Sequence, residues 1–223
     1  MVNSTITKME PTGPLRQLVL IYAPASSRSA AAALLALDNR LGAILRGTRE
    51  PLVGQMRLTW WFEALERLDT APVPAEPVLA ALAEHVLPRG VSGAELATMI
   101  DGWELVMPLA PLGGAELDRY ARTRGGALFK SLARVCDAAP GDPAEVAGRG
   151  WALADLAAHV GDAELAERAR HAAEPLFGLA MGVRWSRRGR MLGAMALIGQ
   201  ADLAQRSGHG LVARLLWHRI TGR

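Results

Sequence analysis

Residues 50–68 read EPLVGQMRLTWWFEALERL, and their apolar side chains recur at helical spacing. Pro51 suits a first turn, where a missing N–H costs nothing, and Glu50 sets a carboxylate at the positive end of the dipole. At ~100° per residue, Val53, Met56, Trp60, Trp61, Ala64 and Leu68 share one broad face, which predicts that the Trp60–Trp61–Ala64 side is buried. Gln55, Thr59, Glu63 and Glu66 lie opposite. Arg57 breaks the pattern by falling inside the apolar stripe. An inward arginine cannot lose its charge, so it needs a carboxylate, a carbonyl or an anionic ligand. It reads either as an ion-paired structural residue or as a ligand-binding one.

The rest of the chain supports a helical setting for this stretch. Its 223 residues suit one large domain, here residues 15–223, with 1–14 as a loose N-terminal segment. That length can bury roughly 70% of the unfolded surface, so neither a disulfide nor a metal is required for stability. Half the residues are hydrophobic, yet aromatics are few, and alanine and leucine runs with little β-branching favour helix. The lone cysteine, Cys136, excludes an intramolecular disulfide and a cysteine zinc cluster, and reads as a small core residue.

The first residues, MVNSTITKMEPTG, lack the apolar core of a signal peptide and the arginines of a transit peptide. No uninterrupted apolar run reaches the ~18 residues of a membrane span. The expectation is a soluble, cytoplasmic protein. Net charge is +3, and of 25 basic residues only Lys8 and Lys130 are lysine. No basic block or nucleic-acid motif occurs, so no nucleic-acid partner is expected.

Outward from the opening helix, Ser26 or Ser27 can cap a helix from about Arg28 to Arg46. Ser92 and Glu95 form an S-x-x-E capping box, followed by Leu96, Met99, Ile100, Trp103 and Met107 at helical spacing. A long helix from about Ala115 to Cys136 carries Leu117, Tyr120, Ala121 and Leu128 inward. Further helices end near Val160, follow Asp162, and cover Met191–Gln205 and Leu211–Ile220. No alternating strand pattern, P-loop or G-x-S-x-G motif is present. The architecture is all-α, with about nine or ten helices on one core.

The run EPLVGQMRLTWWFEAL resembles the squalene/phytoene synthase family, and above all its short branch that includes the assembly factor of respiratory NADH dehydrogenase. ALLALDNRLGAIL, from Ala33, resembles the helix of the family's first aspartate-rich motif. MIDGWELVMPLA and then LDRYARTRGGALFKSLARV, from Leu117, resemble the helices bordering its prenyl pocket. GRGWALADLAAHVGD, from Gly148, resembles the helix of the second aspartate-rich motif, and RLLWHRITGR closes the chain in the family's style. The resemblance implies a single-domain helical bundle of the isoprenoid (trans-prenyl) synthase type. It also implies, for an active member, head-to-head joining of two prenyl diphosphates by magnesium held between aspartates of two facing helices.

This chain departs from that pattern. Gly42, Ala43 and Arg46 stand at the aspartate positions of the first motif, and Asp38 is the only carboxylate between Arg28 and Arg46. In the second, Asp155, His159 and Asp162 fall at i, i+4 and i+7. If the helix continues, they form one metal-binding face, better suited to zinc or a late transition metal than to magnesium. If Gly161 ends the helix, Asp162 caps the next one and Asp155–His159 is an ordinary pair. The same resemblance offers Asp38, Asp101, Glu104 and Asp155 as partners for Arg57.

Other residues carry two readings each. Gly125 and Gly126 allow close approach of a prenyl chain, or close helix–helix contact or a kink. Tyr120 lines a ligand pocket through its hydroxyl, or sits in the core with one hydrogen bond. Arg184, Trp185, Arg187, Arg188 and Arg190 form a solvated turn, or a contact to anionic lipid or an acidic partner with Trp185 at the interface. His85, His171, His209 and His218 read as surface or helix-end residues.

The functional expectation is a squalene/phytoene synthase-like protein without magnesium-dependent prenyl transfer and with no cofactor. It would act as an assembly-factor-like or apolar-ligand-binding protein, peripheral at the inner membrane face. Its partners would be a membrane protein complex, anionic lipid, or a prenyl or other apolar ligand. The alternative is an active head-to-head prenyltransferase with an altered metal site and Mg2+.

Overall fold

The computed structural model describes residues 18–47, 50–107, 112–204 and 209–223, and these contain helices and no strand. After a 3₁₀ turn at Ala25–Ser27 come α1 (Arg28–Gly47), α2 (Pro51–Glu66), α3 (Pro77–His85) and α4 (Gly93–Leu105). Next, α5 (Gly114–Tyr120) runs through a π-helical segment (Ala121–Gly126) into α6 (Ala127–Val135). The chain ends with α7 (Ala144–His159), α8 (Ala163–Met181), α9 (Arg190–Leu203) and α10 (His209–Thr221). Among the described residues no helix is long and apolar enough to cross a membrane.

Local chemistry sets the helix boundaries. The Ser92 hydroxyl accepts from the Glu95 N–H at 3.2 Å, while the Glu95 carboxylate accepts from the Ser92 N–H at 2.9 Å, so the capping box closes. Glu76 caps α3 through the N–H groups of Val78 and Leu79, with Pro77 at the first helical position. Val160 is extended and ends α7; Asp162 then accepts from the N–H groups of Glu164 and Leu165. The second of the two sequence readings of Asp162 is therefore the one observed.

Helix α7 occupies the centre, packed on the π segment, α6, α8 and α9, while α1 packs on α3, α4 and α6. Cys136 is buried, and that burial pushes its thiol pKa up to about 11. The glycines explain how α7 can be so central. A Cβ on Gly125 would lie 2.0 Å from the Gly148 carbonyl oxygen, and one on Gly148 would lie 2.1 Å from that of Gly125. The π segment and α7 therefore cross backbone to backbone. For Gly125 the helix–helix contact is what the fold uses.

Helix α2 is present with Pro51 in its first turn, but it presents a different face from the expected one. Gly54, Leu58, Trp61 and Leu65 are buried, whereas Met56 and Arg57 are exposed. Trp61 is 3% exposed and Trp60 46%. The helix is turned by roughly a quarter of a revolution, less than one residue's ~100° step. Apolar side chains sit on nearly every side of this helix, Leu52 and Phe62 included, so periodicity alone cannot select the inward one. Arg57 is consequently not the inward arginine.

Two other residues depart from expectation. Trp185 is 1% exposed and its Nε1 donates to the Ala180 carbonyl at 3.0 Å, so it is a core residue and not an interfacial one. His218 is buried under α10, against Gly193 of α9, and its Nε2 donates to the Arg190 carbonyl at 3.1 Å. Its apolar neighbours Leu211 and Leu215 lie seven and three residues earlier, so helical spacing did place it inward. Burial above all, and then the Arg190 charge, hold its imidazole below its ordinary pKa.

These packing assignments have measurable consequences. Trp61→Ala should cost about 3–5 kcal/mol in urea unfolding, and Trp60→Ala clearly less. Equal losses would contradict the observed face. For His218 the folded pKa is depressed, so its neutral form imposes no penalty above an unfolded pKa of about 6.5. As pH falls below that value the unfolded chain takes up the proton more readily, and stability drops. The melting temperature should decline between about pH 7.5 and about pH 5, with a smaller decline in His218→Gln.

Candidate functional site

A cavity of about 360 Å³ lies between α1, α4, the π segment, α7 and α9. Val19, Leu35, Trp103, Trp151, Met195 and Ile198 give it apolar walls. Arg46, His159 and Asp202 line it as exposed residues and form its rim. Such a volume and lining fall within the range of small-molecule sites.

The floor is built around Arg124. Leu117, Tyr120 and Ala121 face inward from the same continuous helical run, and Arg124 follows them at i+7, i+4 and i+3. It is 2% exposed. Its Nε donates to Asp38 Oδ1 at 2.9 Å, and its Nη2 donates to Asp38 Oδ2 at 3.0 Å. The same Nη2 lies 2.8 Å from Asp155 Oδ2. Nη1 donates to the Tyr120 hydroxyl, which in turn donates to the Ala152 carbonyl at 3.5 Å. The guanidinium carbon stands 3.9 Å from the centre of the Trp103 ring and 5.1 Å from that of Trp151. Bidentate carboxylate pairing and stacking on an indole face are both geometries that suit arginine's planar fork.

Glycine makes this placement possible. A Cβ on Gly102 of α4 would come within 2.9 Å of the Arg124 backbone nitrogen, and Gly125 meets α7 on the other side. The π turn is thus clamped between two helices that approach its backbone directly, with Arg124 projecting between Asp38 of α1 and Asp155 of α7. Single-turn π irregularities of this kind are frequent at functional sites.

The electrostatics follow from this arrangement. Burial alone would pull the Arg124 pKa down, but Asp38, Tyr120 and Asp155 outweigh it and raise it well above the ordinary value. The Tyr120 phenol is pushed up to about 12, first by burial, with Asp155 and Asp38 adding and Arg124 opposing. Arginine stays charged and tyrosine neutral across the physiological range. Two carboxylates against one guanidinium leave the floor with a net formal charge of −1.

The sequence-derived candidates separate in space. Tyr120, Gly125 and Gly126 are buried around Arg124 and not on the cavity wall. Arg57 lies in a different groove, with Arg40, Trp60 and Glu76. Of its four proposed partners, Asp38 and Asp155 pair with Arg124, and Asp101 lies 3.7 Å from Arg119. Asp162 is engaged as a helix cap, so Asp155, His159 and Asp162 do not share a metal-binding face; His159 Nδ1 lies 2.7 Å from the Asp155 carbonyl and 3.5 Å from its carboxylate Oδ1, an ordinary i,i+4 pair. Of the basic stretch near residue 187, Arg184, Arg187 and Arg188 are exposed, while Trp185 is in the core.

Magnesium demands several oxygen ligands in near-octahedral array. Here the two carboxylates that face one another across the floor share a guanidinium. No group of three or more His, Cys, Asp or Glu able to hold a metal occurs among the described residues. The donor set does not fit magnesium. The sequence offers both aspartates among four candidate partners for Arg57, and Asp155 also beside His159 and Asp162. Arg124 was missed, although its place on the Leu117–Tyr120–Ala121 face was visible.

Comparisons with known proteins agree with this architecture. The family model described as squalene/phytoene synthase matches residues 15–174. A crystal structure of a dehydrosqualene synthase in complex with ligand shares the fold at a TM-score of 0.74, with 16% identity, over 96% of this chain and 93% of that one. No curated protein matches the chain.

The floor predicts a specific stability pattern. Arg124→Met strands two carboxylates and should destabilise by about 3–5 kcal/mol. Replacing all three members of the triad by apolar residues should recover much of that loss. Urea unfolding of the single and triple variants checks both; a silent Arg124→Met would contradict the bridging role.

Proposed function

The chain belongs to the squalene/phytoene synthase family, and from that premise we propose that it retains the family's helical cavity without magnesium-dependent prenyl transfer. In this reading it binds a prenyl or other apolar ligand and acts in the manner of an assembly factor. It does so at the inner face of a bacterial membrane, beside a membrane protein complex. The observation that carries the proposal is Arg124, held between Asp38 and Asp155 where opposed carboxylates would otherwise be open to a cation.

The argument is one of charge. A departing diphosphate needs an excess of positive charge in front of it, which a cluster of divalent cations supplies. The floor of this cavity carries a net formal charge of −1, and its single cation is already bonded on several sides. That sign disfavours a diphosphate and leaves the apolar walls available. Trp103, Trp151, Met195 and Ile198 offer a surface for a hydrocarbon chain.

Incubation with farnesyl and geranylgeranyl diphosphate plus magnesium, scored for diphosphate release, tests the proposal. The expected result is no release above the protein-free control. Turnover at an ordinary enzyme rate of ~1 s⁻¹ or more would overturn it in favour of an active head-to-head prenyltransferase.

A further inference from the structure

Helix α10 buries Leu211, Leu215 and His218 against the bundle and turns Val212, Leu216, Trp217 and Ile220 to solvent. Trp217 is 61% exposed and Ile220 72%. At ~100° per residue these four share the side opposite the buried one, so the helix is apolar both toward the core and away from it. Exposed apolar side chains grouped in this way on one helix mark an interaction surface more than scattered ones do.

The neighbouring surface is basic. Arg187, Arg188, Arg190 and Arg219 share a groove with Ile21 and Tyr22. The arginine loop is fastened to the end of α10: Arg184 Nε donates to the Thr221 carbonyl at 2.8 Å, and Arg190 Nη1 to the Arg219 carbonyl at 2.5 Å. Asp137 takes one of these guanidinium groups, that of Arg188, at 2.8 Å. Asp142 is turned to the Ser186 N–H and hydroxyl. Burial, and then repulsion by Arg187 and Arg184, push the Arg190 pKa down, as expected where positive charge is in excess.

We infer that the outer face of α10 and the adjoining arginine loop form a docking surface for an anionic lipid bilayer. Charge complementarity selects that occupant. An interfacial helix seats its apolar face at the boundary of headgroups and acyl chains, while flanking arginines reach the lipid phosphates. Trp217 is the amphipathic anchor, the role the sequence had suggested for Trp185. The inference rests on the membrane-facing part of the proposed function and not on the cavity.

Cosedimentation of the full chain with vesicles tests it. Phosphatidylcholine vesicles should bind weakly, and vesicles with about 30% phosphatidylglycerol strongly, with a marked loss of binding in ~0.5 M salt. Arg187→Ala should weaken binding by roughly fivefold. The double variant Trp217→Ala/Ile220→Ser should weaken it by at least about tenfold; both positions are exposed, and an unchanged circular dichroism spectrum would establish that the fold persists. Equal binding to the two vesicle types, or variants that bind like the parent, would overturn the inference. So would absence of vesicle binding together with self-association or binding to an acidic protein through α10. The same preparation can be assayed for diphosphate release. Turnover with vesicle binding intact would remove the non-catalytic reading and leave this surface standing; no turnover and no vesicle binding would do the reverse.

Discussion

A guanidinium shut away from water is tolerable only when its charge is answered locally, and that of Arg124 is answered from two helices at once. Asp38 takes it in bidentate fashion, Asp155 closes the far side, Tyr120 accepts a fourth bond, and Trp103 covers its face. Because α1, α4, α5 and α7 each supply one of these groups, their relative positions are tied to a single side chain of the π segment. A buried ion pair is not in itself a strong source of stability, since desolvation offsets much of the attraction. What it contributes here is geometry: the arrangement of the floor depends on all three charged members being present.

The backbone has been adapted to bring that side chain inward. Gly102, Gly125 and Gly148 remove the Cβ atoms that would keep the π segment away from α4 and α7. The crossing of Gly125 and Gly148 is so close that neither position admits even alanine without movement of backbone against backbone. Tight packing and the buried charge are therefore two parts of one construction. The cavity opens above this close-packed floor, between α1, α7 and α9.

Charge distinguishes the two regions for which a function is proposed. At the cavity floor, positive charge is outnumbered by its own carboxylates, and the walls above are apolar. At the end of α10, positive charge outnumbers the acids within reach, and the apolar residues beside it face solvent. The first setting suits an uncharged chain and the second an anionic surface.

Helix content, the capping box at Ser92 and the end of α7 near Val160 were determined by the sequence, because short-range bonding and propensity decide them. So was the family-like order of helices, carried by the runs around Trp60, Asp38, Gly125 and Asp155. That no carboxylate stands at Gly42, Ala43 or Arg46 could also be read directly. Tertiary structure decided which face of α2 turns inward, because an apolar residue on nearly every side leaves the periodicity degenerate. It decided that Trp185 is core and Trp217 surface, a choice that depends on how the chain's end lies over α9. Above all it decided that Asp38 and Asp155 are joined by Arg124 and not Arg57. Sequence spacing could show that each charge lies on an apolar face, but the pairing spans 86 residues and exists only once the glycine crossings have set the helices in place.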